Sequence, residues 1–282
     1  MTAPDDLDLL TTAELTIVGR VVQASNATLV CEISRPETET ETETETETDT
    51  AAPLRCVYKP VRGEQPLWDF PDGTLAGREV ASYRVSEALG WGVVPTTVLR
   101  DGPVGPGMVQ RWIDTVDRRP EAGDGIDLVD ICRPDLVPDG YLPVLRGHDE
   151  TGEEITLVHA DDPRLHRMAV LDVILNNADR KGGHVLEGLD GAVYGVDHGL
   201  AMHRENKLRT VLWGWAGDPI GADLVADLER VLEALGGSLG DELAPLVTDA
   251  EIDALRRRVR SLVERPVMPA PTSSRPLPWP AF

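Results

Sequence analysis

The chain has 282 residues, too many for a peptide module and few for three domains, so one two-lobed domain or two small ones are the choices. It carries 49 acidic against 27 basic residues, a formal net charge of -22, and the Glu-Thr repeat at 37–49 supplies only seven of the negative charges. That balance argues against a sequence-independent nucleic-acid binder, which needs a basic face, and against electrostatic docking to anionic lipid.

Aromatic residues are 4% of the chain and only two are Phe, so the core must be built from Val, Leu, Ile and Ala. Cys31, Cys56 and Cys132 are odd in number, far apart and without a C-x-x-C pattern. Such spacing suits a reducing compartment and neither a disulfide framework nor a zinc site. The first ten residues have no basic n-region and no apolar h-region, and no apolar run approaches the roughly 18 residues of a membrane span. The expectation is a soluble, cytoplasmic protein with no nucleic-acid partner and no stable membrane association.

In chain order, residues 1–11 read as an N-terminal tail. Residues 14–34 hold two β-rich runs broken at Ser25-Asn26-Ala27-Thr28, a hairpin with a polar tip. The Glu-Thr repeat is low-complexity and too charged for a core, an expanded and disordered loop over 36–52. Strand character resumes at 54–59. Residues 76–89 read as a helix stopped by Gly90, and 93–99 and 107–113 as strands around a D-G-P-V-G-P-G turn. Residues 114–160 are rich in Pro and Gly and show little periodicity. Asp161-Asp162-Pro163 starts a helix that runs to about Asn177. A short hairpin surrounds Asp190-Gly191, amphipathic helices cover 222–235 and 249–264, and the tail from Pro266 is Pro-rich and irregular.

The densest polar cluster is Asn176-Asn177-Ala178-Asp179-Arg180-Lys181-Gly182-Gly183-His184, and Asp197 follows at a strand end in Y-G-V-D-H-G. A loop Asp, a polar ligand five residues on and a second strand-end Asp are the parts phosphoryl transfer needs: one carboxylate orients the attacking group and two ligands hold a metal on the phosphates. Lys59 ends a strand and Glu79 lies early on the next helix, a pair that would position nucleotide phosphates. The hairpin tip Ser25, Asn26 and Thr28 would cover those phosphates, with Val109 and Gln110 as the hinge beside the adenine. There is no Walker A motif and no G-x-G-x-x-G.

Lys59, the Glu79 helix, Asp179-Arg180-x-x-x-His184 and Asp197-x-Gly199 resemble the phosphatidylinositol 3- and 4-kinase superfamily and, more distantly, the HipA-type kinases. Stretches such as Y-K-P-V-R-G-E-Q-P-L-W-D-F, N-N-A-D-R-K-G-G-H and K-L-R-T-V-L-W-G-W resemble an actinobacterial phosphatidylinositol-kinase-like family over residues 12–265. The resemblance implies an α+β, bilobal, atypical protein-kinase-like fold, with a β-rich N-lobe over 12–113 and a mainly helical C-lobe over 114–265. It implies ATP and Mg²⁺ or Mn²⁺ as cofactors. Asp179 would act on the acceptor hydroxyl, and Lys59 and Glu79 would serve the nucleotide. Asp197 and His184 would bind metal. Lys181 stands where the family has a His, and a Lys there would stabilise transferred phosphate charge. His184 stands where the family has Asn, a nitrogen ligand that Mn²⁺ tolerates better than Mg²⁺.

The expected activity is transfer of the γ-phosphate to a hydroxyl of a protein or soluble small molecule, a lipid being the less fitting acceptor. Two rivals stand beside it: a nucleotide-binding pseudokinase, favoured by Lys181 and His184, and a partner-binding protein without nucleotide. His159, Asp161, Asp162 and His166 invite a metal-site reading, but helix capping explains the acids. Trp213 and Trp215 read as packing, and Arg256, Arg257, Arg258 and Arg260 as a solvated basic face. Arg204, Lys207 and Arg209 suit an anionic acceptor or a segment pinned to nearby carboxylates.

Overall fold

The structure is a computed structural model that describes residues 4–21, 26–34, 52–71, 74–116 and 126–282. Ser25 and the Glu-Thr repeat lie outside the described residues. Helices and antiparallel strands are mixed along the chain, which divides into two compact units. The first is Met1–Pro66 with Thr96–Trp112, the second Leu67–Pro95 with Ile113–Phe282. The units therefore interleave in sequence, where the sequence reading has continuous spans: residues 67–95, with the Glu79 helix, cluster with the second unit.

The first unit opens with a helix, α1 (Pro4–Thr12), where the sequence suggests a tail. Leu10 is fully buried, and Arg100 donates to the carbonyls of Leu10 (3.0 Å) and Ala13 (2.7 Å), satisfying acceptors at the helix end. Five strands follow: β1 (Thr16–Arg20), β2 (Leu29–Ile33), β3 (Leu54–Pro60), β4 (Thr97–Gly102) and β5 (Gly105–Arg111). They form one antiparallel sheet in the order β1-β2-β3-β5-β4. Period-two burial in β3 puts Leu54, Cys56 and Tyr58 into a core with Cys31, Ile33, Val98 and Val109.

The second unit has its own, larger core. Its first helix, α2 (Leu75–Leu89), is capped by Thr74, whose side chain accepts from the Gly77 N–H, and ends at Gly90 in the left-handed region (φ 71°). Residues 114–160, without clear periodicity in sequence, supply β6 (Val129–Cys132), β7 (Tyr141–His148) and β8 (Glu154–Ala160), a three-stranded sheet in the order β6-β8-β7. Asp162 caps α3 (Pro163–Leu175), and a hairpin of β9 (Val185–Glu187) and β10 (Val193–Gly195) follows. The chain then forms α4 (Ala222–Ala234), α5 (Ser238–Leu243) and α6 (Asp249–Glu264), the last held by a Thr248–Glu251 capping box. No helix among the described residues is long and apolar enough to cross a membrane.

Candidate functional site

The site in the second unit is built on a buried ion pair. Asp172 on α3 and Arg180 in the following loop are both fully buried and 2.9 Å apart. Asp172 also accepts from Asn177 (2.9 Å) and Thr210 (3.1 Å), so its charge is met by several donors. Arg180 spends its remaining donors on the loop itself: its Nη1 reaches the carbonyls of His184 (3.2 Å) and Val196 (3.0 Å), and its Nη2 contacts His198 Nε2 (2.6 Å). One guanidinium thus ties the Asp179 loop to the Asp197 turn. Sequence alone gives Arg180 a place in the Asp179 motif and Asp172 none; their pairing emerges only in the fold.

Asn176 and Asn177 complete the frame. Asn176 ends α3 in the left-handed region (φ 55°), and its side chain binds the backbone of His203, Glu205 and Lys207. Asn177 Oδ1 accepts the N–H of Asp179 at 3.0 Å. The 204–211 segment runs beside the loop, with Arg180 bridged to Thr210 in parallel sense.

On that frame the side chains of Asp179, Lys181, His184, Asp197 and Glu79 converge. His184 Nδ1 lies 2.9 Å from the Asp179 carbonyl, which only accepts, so Nδ1 carries the proton. Its Nε2 lies 3.6 Å from Asp197 Oδ2. Asp197 sits in the left-handed region (φ 59°), uncommon for a non-glycine residue and typical of turns that present a side chain. Lys181 Nζ lies 3.6 Å from Asp179 Oδ2. Burial pushes the Asp179 carboxyl up to about 6, against the pull of Lys181 and with the repulsion of Asp197. Glu79, buried on α2, accepts the backbone N–H of His198 through Oε2 at 2.8 Å and so grips the Asp197 turn. A Cβ on Gly199 would lie 3.3 Å from the Leu75 Cβ.

The structure therefore brings Asp179, Lys181, His184, Asp197 and Glu79 together. Lys59 belongs to the first unit, on β3. Asn26 Oδ1 accepts from the Gln65 N–H (3.0 Å), and the buried Thr28 hydroxyl donates to the Asn26 carbonyl (3.3 Å). Asn26 and Thr28 are thus hydrogen-bonded within the first unit. Val109 and Gln110, expected as the hinge, lie on β5. Both are buried on the central strand β5, with register partners on β3 and β4, and Gln110 donates to Thr97 at 2.8 Å.

Among the described residues no group of three or more His, Cys, Asp or Glu side chains is arranged to hold a metal. Asp197 and His184 form a pair of one oxygen and one nitrogen donor. The inviting group at 159–166 is structural. His159 Nε2 accepts the Gly214 N–H (2.9 Å), Asp161 accepts from Trp215 (2.9 Å), and Asp162 caps α3. Arg258 departs from the solvated face expected of α6: it donates to the Ile174 carbonyl (2.7 Å), and burial brings its guanidinium down to about 10. Lys207 is pinned, 3.4 Å from Asp69 and over the rings of Trp68 and Phe70.

No protein-family model matches the chain. It is 55% identical over 282 residues to Protein Rv2133c of Mycobacterium tuberculosis, spanning 99% of this chain and 96% of that protein, and it belongs to that protein's family. The crystal structure of a Helicobacter pylori proinflammatory kinase, CtkA, aligns with 92% of this chain and 94% of its own, at 10% identity and a TM-score of 0.43. That likeness is too loose to carry an argument.

Proposed function

We propose that the chain is an ATP-dependent phosphotransferase of atypical protein-kinase type, with a sheet-rich nucleotide lobe and a lobe that carries the reaction loop. One observation carries the reading: Asp179, His184 and Asp197, spread over 19 positions, meet in one place on a frame of buried polar contacts. The left-handed backbone of Asp197 and the hold of buried Glu79 on the His198 N–H support that reading.

In this reading Asp179 takes the proton of the acceptor hydroxyl as its oxygen attacks the γ-phosphorus and the bond to the ADP oxygen breaks. A carboxyl pushed up to about 6 is a better proton acceptor than an ordinary aspartate, while still ionised near neutrality. Lys181 supplies positive charge beside the transferred group. Lys59 contacts the nucleotide phosphates, and Glu79 fixes the turn that carries Asp197. The donor pair Asp197 and His184 fits a divalent cation whose other ligands are phosphate oxygens, and a neutral imidazole presenting Nε2 fits Mn²⁺ better than Mg²⁺. Such an ion would neutralise charge on the phosphates.

Asp179→Asn tests the role of the loop carboxylate. Labelled-phosphate transfer should fall about 10²–10⁴-fold, the usual contribution of a positioned base, with nucleotide binding kept. Transfer unchanged in this variant would remove Asp179 from the chemistry. The pseudokinase remains the second reading, because Lys181 pairs with the carboxylate that should act as base. Nucleotide binding without transfer to any acceptor would favour it.

A further inference from the structure

The Pro-rich residues after α6 are laid along the second unit by repeated backbone pairing. The Ile220 N–H donates to the Pro266 carbonyl (2.8 Å), the Gly217 N–H to Met268 (2.9 Å), and the Met268 N–H back to Asp218 (2.9 Å). Asn206 reaches the Thr272 hydroxyl at 3.1 Å. The Thr210 N–H (3.1 Å) and the Trp213 indole N–H (2.9 Å) both donate to the Pro276 carbonyl. Finally the Gly182 N–H donates to the Ala281 carbonyl (2.8 Å), and the Phe282 ring fills the space that a side chain on Gly182 would need. Residues 276–282 thus cross from the 206–213 segment to the loop that holds Asp179 and Lys181.

The chemistry of this strap is peptide recognition by backbone donors. Thr210 is already paired with Arg180, and its N–H and that of Gly182 each take one carbonyl of the strap. Its sequence, Pro-Leu-Pro-Trp-Pro-Ala-Phe, has proline at every second position from 276 to 280, and each ring fixes its own φ, which limits the freedom the segment loses on docking. Leu277 and Ala281 pack against the core, whereas Trp279 is 92% exposed. Phe282 also closes one side of a cavity of about 210 Å³ lined by Gly183, Leu186, Glu187 and Asp127. No residue of 276–282 carries a hydroxyl.

We propose that residues 276–282 are a tethered pseudo-acceptor: a hydroxyl-free peptide occupying the place of a proline-containing protein acceptor, which displaces it. The acceptor role rests on the phosphotransferase reading; the peptide site itself does not. Transfer to such an acceptor moves the γ-phosphoryl group from ATP to a Ser or Thr oxygen, leaving ADP and one proton.

The test uses the full chain and a fluorescent peptide of sequence S-R-P-L-P-W-P-A-F. Phe282→Ala weakens the internal strap and should raise peptide affinity about tenfold over the unaltered chain, the equivalent of one lost anchoring contact. Leu277→Asp, which loosens the same strap elsewhere, should raise it likewise and covers the case where Phe282→Ala folds poorly. Trp213→Phe takes the same donor from strap and added peptide, so it should leave peptide affinity about unchanged in the otherwise unaltered chain and lower it in either variant, where the strap competes less. No gain in both variants, or a gain indifferent to Trp213→Phe, overturns the strap. With ATP and Mn²⁺, A281S should acquire phosphate on its last peptide while the unaltered 276–282 does not. Transfer to other proteins but never to A281S overturns the pseudo-acceptor. Peptide binding that follows the expected pattern with no transfer to anything leaves the peptide site standing and the phosphotransferase reading, with the acceptor role built on it, refuted.

Discussion

Asp172 and Arg180 show how a charged pair specifies a site rather than merely stabilising a core. Both are fully buried, and every strong donor of the guanidinium points at a loop carbonyl, a carboxylate or an imidazole. Asp172→Ala would strand the guanidinium in a dry interior. The cost of breaking a buried pair is about 3–5 kcal/mol, so the denaturant midpoint should fall sharply, with the 177–184 loop losing exchange protection first. A loss below about 1 kcal/mol would mean that water reaches the pair. Aspartates at 179 and 197 stood out in sequence because they sit in polar, glycine-bearing stretches. Asp172 did not, because a lone acid on an apolar helix carries no motif and its meaning depends on Arg180 folding back over it.

Elements were legible where their ends carry chemistry. Gly90 stops α2 and Asp162 with Pro163 starts α3 as expected, and α2, α3 and α6 lie within a residue or two of their expected bounds. The β6-β8-β7 sheet was not legible, because its turn-rich strands show no sustained alternation; β7 is largely exposed along its length. The strand expected at 93–99 begins at Thr97 instead, since Val93 and Val94 are spent on the core of the second unit. Helix α2 carries a further constraint. A Cβ at Gly77 would lie 2.5 Å from the Leu246 carbonyl oxygen and 3.2 Å from Thr74 Oγ1. Gly77→Ala gains about 1 kcal/mol of helix propensity but meets backbone that cannot yield cheaply. The expected net result is destabilisation by about 1–2 kcal/mol and a lower Tm; a higher Tm would show that α5 and its following turn shift freely.

For the whole molecule, two cores and a strong negative charge set the response to pH. His159 is fully buried and its Nε2 must stay unprotonated to accept the Gly214 N–H, while burial pulls its pKa down to about 4. Asp161 opposes that shift and His166 adds to it. The unfolded chain takes up this proton near 6.5, the folded chain only near 4. Stability should therefore fall as pH drops from about 6.5 to 4 and level off below, by about 3 kcal/mol from this group. His159→Gln should flatten that part of the curve, read from urea midpoints across the range; an unchanged slope would assign the loss to other groups.

The central claim is that the Asp179, His184 and Asp197 cluster handles a metal-bound nucleotide. The most direct measurement is ATP binding and labelled-phosphate transfer, with Mg²⁺ and with Mn²⁺, comparing the unaltered chain with Asp197→Ala. Metal-dependent binding and transfer are expected in the unaltered chain, stronger with Mn²⁺, with loss of transfer in the variant. No nucleotide binding with either metal would contradict it and return the chain to a partner-binding protein.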